Sequence, residues 1–198
     1  MSWTELPLFP LNVVLFPGGP LSLRIFEPRY LDMVRRSLKE QSVFGVVLIL
    51  EGTEAGAAAS VAATGTSARV VDFDTLPDGL LGLVCVGERR FQLGRRWQQS
   101  DGLNLGEVDY LPDDAPCAVP AEYAPLTELL REVLPQLGGV YRHVEADFGD
   151  AGWVSNRWAE ILPLTSTEKL ELLELADPLA RLAQVAVWST RQPPAAHG

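Results

Sequence analysis

The feature that most constrains the fold is a single change in the spacing of apolar residues along the chain. Up to about residue 110 the apolar residues alternate with polar ones or form short continuous runs, a pattern typical of strands. Beyond about residue 124 they repeat at helical spacing. Residues 111–120 contain three prolines, which indicates a linker between the two parts. One block of strands followed by one block of helices predicts an α+β fold rather than a doubly wound α/β sheet.

Several segments of the first part have strand signatures. Residues 21–26 alternate apolar and polar side chains, and residues 43–50 and 80–86 are short apolar runs that predict strands buried on both faces. Gly87 is expected to end the latter strand, and Phe91, Leu93 and Trp97 then share one face of a further strand. The apolar phase slips near Gly106, which predicts a β-bulge at that glycine.

Helix signals are local and specific. Pro28 fits the first position of an early helix, with an apolar stripe at Leu31, Val34 and Leu38. Four later helices are predicted around residues 126–133, around 154–162, after the capping box formed by Thr165 and Glu168, and after the Asp177-Pro178 pair. Residues 51–63, rich in Ala, Gly, Ser and Thr, are expected to form a flexible loop.

Charge and composition exclude several classes of protein. The net charge is −10, with 10 basic against 13 acidic residues up to residue 110 and 6 against 13 thereafter. This balance disfavours a nucleic-acid binder, which usually has a basic surface. The N-terminus lacks a signal peptide, and the longest apolar run is too short to span a bilayer, so we expect a cytoplasmic protein without membrane association. Cys85 and Cys117 have no metal-binding spacing and are expected to be inert thiols.

The opening of the chain carries the most specific motif. Its two parts read Leu6-Pro-Leu-Phe-Pro-Leu-Asn-Val-Val-Leu-Phe-Pro17 and Pro20-Leu-Ser-Leu-Arg-Ile-Phe-Glu-Pro-Arg-Tyr30. They resemble the start of the Lon N-terminal domain family, which includes the substrate-recognition end of Lon proteases and part of cereblon-like adaptors. Residues 65–71, 76–91 and 162–174 are similar to later family segments, so the resemblance covers nearly the whole chain.

This resemblance implies a fold and a role. Residues 1–112 should form the family's PUA-like pseudo-barrel and residues 119–192 its helical bundle, with a disordered tail at 193–198. The implied role is a non-catalytic polypeptide-binding module of a stand-alone, bacterial-type member of the family. Unfolded or extended polypeptide segments are its expected partners. Docking on a separate protease is left open as an alternative.

The residues that an ATP-dependent protease requires are missing from the sequence. The chain contains no Gly-Lys dipeptide, which a phosphate-binding P-loop needs. A Ser-Lys protease needs a lysine of lowered pKa, and the only lysines, Lys39 and Lys169, lie among charged neighbours and are not expected to be desolvated. We therefore expect no enzymatic activity, no cofactor and no metal site in this chain.

Other site chemistries have only weak sequence support. His143 is better explained as a surface or helix-capping residue than as a catalytic base, and a zinc site formed by Cys85, Cys117 and His143 lacks paired ligand spacing. The most basic stretch interleaves arginines with an aromatic ring, as single-strand nucleic-acid binders do. Strand alternation would split its arginines between two faces, so RNA binding is kept only as an alternative. This stretch consists of Arg89, Arg90, Arg95, Arg96 and Trp97.

The substrate-binding residues are predicted from the opening motif. Its exposed aromatic and aliphatic side chains are expected to line a groove, and its arginines to form the rim. The groove residues are Phe9, Leu11, Phe16, Phe26 and Tyr30, with Arg24 and Arg29 at the rim. The competing interpretation assigns Glu27, Arg29 and Tyr30 to a capped helix start with an ion pair and a buried ring.

Overall fold

The computed structural model describes residues 2–54 and 60–190 of the chain. It has a mixed α/β architecture with one six-stranded sheet and five α-helices. The chain divides into two compact units. Unit 1 comprises Met1–Asp113 and Gly138–Glu145, and unit 2 comprises Asp114–Leu137 and Ala146–Gly198. The sequence-based bounds differ at residues 138–145, which were assigned to the helical part but group with the sheet.

Unit 1 contains all six strands and the first helix. The strands are β1 (Thr4–Leu11), β2 (Pro20–Ile25), β3 (Phe44–Glu51), β4 (Ser60–Thr75), β5 (Leu81–Gln98) and β6 (Asn104–Tyr110), and α1 is Pro28–Glu40. Their order in the sheet is β2-β5-β4-β3-β1-β6, and β5 also pairs with β6. That extra pairing closes β5, β4, β3, β1 and β6 into a ring, while β2 lies at the end of the sheet, paired with the first half of β5.

Strand β1 was not predicted, because prolines interrupt its sequence. It pairs with β6 over Thr4–Leu8 and runs parallel to β3 over Leu8–Leu11. Among the described strands, Pro7 is paired only with a residue of β6, and Pro10 is paired only with a residue of β3. A proline lacks the N–H needed for a second ladder. Each proline therefore lies where the strand needs only one neighbour.

The structure of β5 contradicts two predictions made from the sequence. Residues 81–86 and 91–97 belong to one long strand, so Gly87 does not end a strand. A Cβ at Gly87 would lie 2.2 Å from the Phe16 carbonyl oxygen, so glycine there permits close approach of another backbone segment. The predicted bulge at Gly106 is also wrong. The extra residue is on β5, between Leu93 and Arg96, while β6 stays in continuous register with β1.

The apparent phase slip in β6 has a different cause. Side chains of this strand are buried both inside the ring and outside it. One set of buried side chains, the interior cluster, comes only from ring strands and comprises Leu6, Leu8, Val47, Phe91 and Val108. The other set, the outer cluster, includes residues of α1 and β2 and therefore lies outside the ring; Phe9, Ile25, Tyr30, Met33, Cys85 and Leu105 are among its members. Leu105 and Val108 of β6 thus point to opposite sides.

Helix α1 begins at Pro28, as predicted, with Glu27 as its N-cap. Its buried residues are Tyr30, Met33, Val34 and Ser37, whereas Leu38 is exposed. The buried stripe is therefore rotated from the predicted Leu31–Val34–Leu38 stripe, because the helix packs its Tyr30 and Met33 side onto the outer cluster.

The four helices predicted in the second part are all confirmed. They are α2 (Ala124–Val133), α3 (Ala151–Ile161), α4 (Ser166–Glu174) and α5 (Pro178–Ser189). The capping box of Thr165 and Glu168 is present, and the Asp177 side chain accepts a hydrogen bond from the Leu179 N–H. Residues 60–63 of the predicted loop belong to β4. Residues 55–59 of that loop and the predicted tail lie outside the described residues.

Candidate functional site

Five of the seven predicted groove residues line one cavity of about 560 Å³ beside β2, called here the β2 cavity. These are Phe9, Leu11, Arg24, Phe26 and Tyr30. The cavity is also lined by residues that were not predicted, namely Ser22, Leu23, Ile25, Glu27, Glu54 and Leu80. Strand alternation in β2 could have pointed to Leu23 and Ile25. Glu54 and Leu80 have no such sequence signal, since they lie just after β3 and just before β5 and meet the cavity only in the folded sheet.

Aromatic packing builds the floor of the β2 cavity. The rings of Phe9 and Tyr30 stack with centroids 4.0 Å apart, and Phe44 lies 6.2 Å from Phe9 in a tilted arrangement. Phe9 and Tyr30 are buried at their backs, yet both reach the cavity. Burial raises the pKa of the Tyr30 phenol, partly opposed by the nearby Arg29. The phenol therefore stays neutral at physiological pH, and the floor of the cavity is apolar.

The outward residues of β2 and the residue after it form the exposed wall of the cavity. Phe26 is 59% exposed, so its apolar ring lies at the surface beside the cavity. Arg24 is exposed and forms an ion pair with Asp78. Exposed ion pairs of this kind contribute about 0–1 kcal/mol, so this arginine can be displaced at little cost.

Phe16 and Arg29 do not line the cavity. Phe16 is completely buried. The Arg29 guanidinium lies 2.7 Å from the Glu27 carboxylate, donates a hydrogen bond to the Gly102 carbonyl at 2.8 Å, and covers the Tyr30 ring. For Arg29 this geometry agrees with the structural interpretation of a helix start braced by an ion pair. Its effect is to hold Tyr30, and hence the cavity floor, in place.

A second cavity of about 390 Å³ adjoins the first and shares Ser22, Leu23 and Arg24 with it. Its remaining lining comes from β4 and the residue after it, from the start of β5 and from the turn at Gly139–His143, and includes Asp72, Phe73, Asp74, Leu76 and Arg142. The strand register explains this composition, since Arg24, Gly82 and Asp74 form one row across β2, β5 and β4. Phe73 is 59% exposed, as is Phe26 at the first cavity.

The arginines of the basic stretch on β5 have different surroundings. The bulge between Leu93 and Arg96 breaks the predicted alternation, so that Leu93 packs on the interior cluster and Trp97 on the outer cluster. Arg89 pairs with Asp113 at 3.2 Å and covers the Tyr110 ring, while Arg90 is buried. Arg95 lies over Trp97, with its guanidinium carbon 5.6 Å from the ring centroid. Arg89 and Arg90 therefore do not present their charges together on an open surface.

The remaining candidates for chemistry lie apart from the β2 cavity. His143 accepts a hydrogen bond from Arg142 and lies 3.6 Å from the Asp72 carboxylate. Burial raises the pKa of the Cys85 thiol to about 12, so it is not a nucleophile near neutral pH. Among residues 2–54 and 60–190, no group of three His, Cys, Asp or Glu side chains could hold a metal ion.

One sequence prediction about the lysines is wrong. Burial lowers the pKa of Lys169, with Glu160 opposing the shift, so this lysine is partly desolvated. Its ammonium donates a hydrogen bond to the Glu160 carbonyl oxygen at 2.8 Å. The desolvation arises because α4 lays this side chain against the end of α3. The described helices include none long and apolar enough to cross a membrane.

Comparison with solved structures finds the same fold. A Lon N-terminal domain protein from Xanthomonas campestris superposes with a TM-score of 0.77 at 40% identity, covering 93% of this chain and 98% of that chain. The N-terminal domain of the Mycobacterium avium complex Lon protease superposes with a TM-score of 0.67 at 18% identity, covering 96% and 100%. This second likeness concerns the fold alone.

Sequence comparison finds relatives of this chain among Lon proteases and cereblon proteins. The Lon protease of Parabacteroides distasonis is 27% identical over 181 residues, which are 87% of this chain and 22% of that protein. Protein cereblon of Xenopus tropicalis is 27% identical over 121 residues, which are 59% of this chain and 26% of that protein. The chain thus spans about a quarter of the length of these relatives.

The family assignment rests on most of the chain. Residues 5–190 match the family model described as the ATP-dependent protease La (LON) substrate-binding domain. That range includes every strand and helix except the first residue of β1. The opening motif from which the resemblance was inferred supplies the floor and wall of the β2 cavity. The chain belongs to the LON substrate-binding domain family.

Proposed function

We propose that this chain is a polypeptide-recognition module and that the β2 cavity is where it holds an apolar side chain of an unfolded or extended segment. The observation that carries the proposal is an apolar concavity built from the opening motif and walled by the exposed ring of Phe26. Exposed large apolar side chains around a concave surface are typical of interaction sites.

The position of β2 supports binding of an extended chain. As the end strand of the sheet, β2 has one edge that is not paired with another described strand. Such an edge offers main-chain hydrogen bonds to an added strand, while pockets beside it select alternate side chains. The Gly139–His143 turn lies beside part of β2 and lines the second cavity. We propose that the segment binds along the part of β2 that faces the first cavity.

The expected affinity is modest. A fully buried apolar anchor contributes about 1.5–3 kcal/mol, from which the cost of ordering a flexible segment must be subtracted. Two or three anchors therefore give weak to moderate binding, which suits a module that must release what it has selected. We propose no catalytic step for these residues.

A direct binding experiment tests this function. Fluorescent peptides from unfolded proteins, with aromatic and aliphatic residues, are titrated with the intact chain, and a structured RNA oligomer serves as the comparison ligand. The Phe26→Ala variant should bind the peptides about tenfold or more weakly, since it removes an apolar wall. The matched control is Leu50→Ala, which truncates an apolar side chain of similar exposure, 54%, away from the cavity. Unchanged peptide affinity in Phe26→Ala, or RNA binding without peptide binding, would overturn the proposal.

Several finer expectations remain proposals. We propose that the closed strand ring is the PUA-like pseudo-barrel implied by the resemblance, within bounds of 1–112, and that 119–192, without the segment 138–145 that groups with the sheet, form its helical bundle. The pairing of β5 with β6 supports the first part. Docking on a separate protease is proposed as a second role of the chain. Recovery of a protease with the intact protein in a pull-down experiment would support it.

A further inference from the structure

The charges that line the β2 cavity are unevenly compensated. Arg24 is engaged by Asp78, and Glu27 is engaged by Arg29 at 2.7 Å. Glu54 accepts a hydrogen bond from the Asn12 N–H at 2.6 Å but has no ion-pair partner among the described residues. The apolar cavity therefore has at its edge the Glu54 carboxylate, whose charge is not matched by a cation within residues 2–54 and 60–190.

The carboxylates of Glu27 and Glu54 lie near enough to the buried phenol of Tyr30 to affect its pKa. Burial raises its pKa most; Arg29 then lowers it, Glu27 raises it, a hydrogen bond with Asn104 lowers it, and Glu54 has the smallest effect and raises it. Both carboxylates therefore act on a ring that forms the cavity floor.

The second cavity has a similar combination of an aromatic ring and carboxylates. Phe73 is exposed and is flanked in sequence by Asp72 and Asp74, all three of which line the cavity. Asp72 already holds a guanidinium, that of Arg142, at 3.1 Å. The Asp74 carboxylate accepts a hydrogen bond from the neighbouring Thr75 N–H and is not paired with a cation among the described residues. A ring beside carboxylates suits a cationic side chain, through cation–π attraction and a charge-assisted hydrogen bond.

The two cavities are continuous through β2. They share Ser22, Leu23 and Arg24, so a segment lying along this strand can reach both. The surface along that path combines apolar floor residues with an excess of negative charge, and the two lining arginines, Arg24 and Arg142, are already engaged by Asp78 and Asp72. Complementarity therefore requires apolar and positive groups close together in the partner.

We infer that the chain selects polypeptide segments in which an apolar side chain is flanked by lysine or arginine, and that Glu54 and Asp74 form ion pairs with these flanking residues. This inference deepens the proposed function and depends on it. Both carboxylates are exposed, so each contributes about two- to fivefold in affinity, the range of a solvent-exposed ion pair. The preference should weaken with added salt, which screens exposed charges.

Three peptides of equal length test the inference. They share one aromatic and aliphatic core and carry lysine, glutamine or glutamate at the flanking positions, and their affinities are measured by fluorescence anisotropy with the intact chain. The lysine peptide should bind more tightly than the glutamine peptide, and the glutamate peptide most weakly. The Glu54→Gln and Asp74→Asn variants should each reduce the lysine-over-glutamate ratio by about two- to fivefold. Both substitutions retain an amide oxygen that can accept the local backbone hydrogen bond, and thermal melting checks that the variants are folded.

The control separates a local effect from the overall charge. Glu171→Gln removes one negative charge from an exposed position of α4 and should leave the ratio unchanged. An equal fall in this control would show that net charge accounts for the preference and would overturn the inference. If all three peptides bind the wild-type chain equally, the inference fails while the proposed function stands. If none binds, the proposed function itself fails.

Discussion

The interior and the outside of the strand ring are built from alternate residues of the same strands, yet they are packed differently. On β1, Leu8 belongs to the interior cluster and its neighbour Phe9 to the outer cluster. The interior is enclosed, and glycines make room for its largest ring, that of Phe91. The outside is covered by α1 and β2 only in part and opens into the β2 cavity. A single strand thus supplies one face for stability and one for recognition.

The glycines show how close the interior packing is. A Cβ at Gly65 would lie 2.5 Å from the Phe91 ring, and one at Gly45 would lie 2.8 Å from it. Nothing comparable limits the outer face at Phe26, which remains largely exposed. Substitutions inside the ring should therefore affect folding, whereas substitutions at the cavity should affect binding.

The largest expected effect is that of Phe91→Ala. Removing a fully buried aromatic ring costs about 3–5 kcal/mol of unfolding free energy. Urea denaturation followed by circular dichroism measures it. The matched control is Phe73→Ala, whose ring is exposed and which should change stability by less than about 0.5 kcal/mol. Similar losses in the two variants would contradict the enclosed interior.

A smaller loss is expected from adding a methyl group inside the ring. Gly65→Ala places a Cβ against the Phe91 ring and 2.6 Å from the Val46 carbonyl oxygen, so backbone as well as side chain must move. Overpacking of this kind costs about 1–3 kcal/mol. Gly149→Ala serves as the control in the same denaturation experiment, because its added Cβ would meet its nearest neighbour at 3.6 Å. A neutral Gly65→Ala variant would show that the interior has free space.

The burial of Cys85 in the outer cluster can be tested through the pH dependence of stability. Its thiol pKa is raised by burial to about 12, whereas an unfolded thiol ionises near its ordinary pKa of 9.0. Above that value the unfolded state loses the proton and the folded state retains it. The thiol's contribution to stability should therefore fall between about pH 9 and 12, by up to about 1.4 kcal/mol per pH unit. Comparing unfolding free energies of wild type and Cys85→Ala from pH 8 to 11 isolates this contribution from that of the tyrosines. A constant difference between the two proteins across that range would mean that Cys85 is solvated.

The smallest stability effect is expected at the rim of the cavity. Phe26→Ala should change the unfolding free energy by no more than about 0.5 kcal/mol, because the ring is largely exposed in the folded chain. Its melting temperature should accordingly match that of the wild type, while its peptide affinity falls. A marked loss of stability would instead assign Phe26 to the fold.

Much of the secondary structure could be predicted from the sequence, since its signals are local. The capping box at Thr165 and the Asp177-Pro178 start fix helix ends through neighbouring residues alone. The prediction failed where a signal depends on distant partners. β1 was missed because its prolines are tolerated only by the way two other strands divide its length. The bulge was placed on the wrong strand, because burial on both faces of β6 imitates a phase change.

The candidate site was predicted in part for the same reason. The opening motif contributed five cavity residues, but Phe9 and Phe16 could not be distinguished within it, and the structure buries Phe16 completely. Glu54 and Leu80 reach the cavity from distant parts of the chain, and their role as lining residues depends on how β2 joins the sheet.

By itself, the sequence determined the order of a strand-rich part followed by a helical part, the starts of α1, α4 and α5, and the family. These follow from hydrophobic period, capping residues and a contiguous motif. The tertiary structure alone decided which side of the ring each apolar residue occupies and which carboxylates face the cavity. Closure of the sheet assigns neighbouring residues of one strand to opposite surfaces, and it joins side chains that lie far apart in the chain.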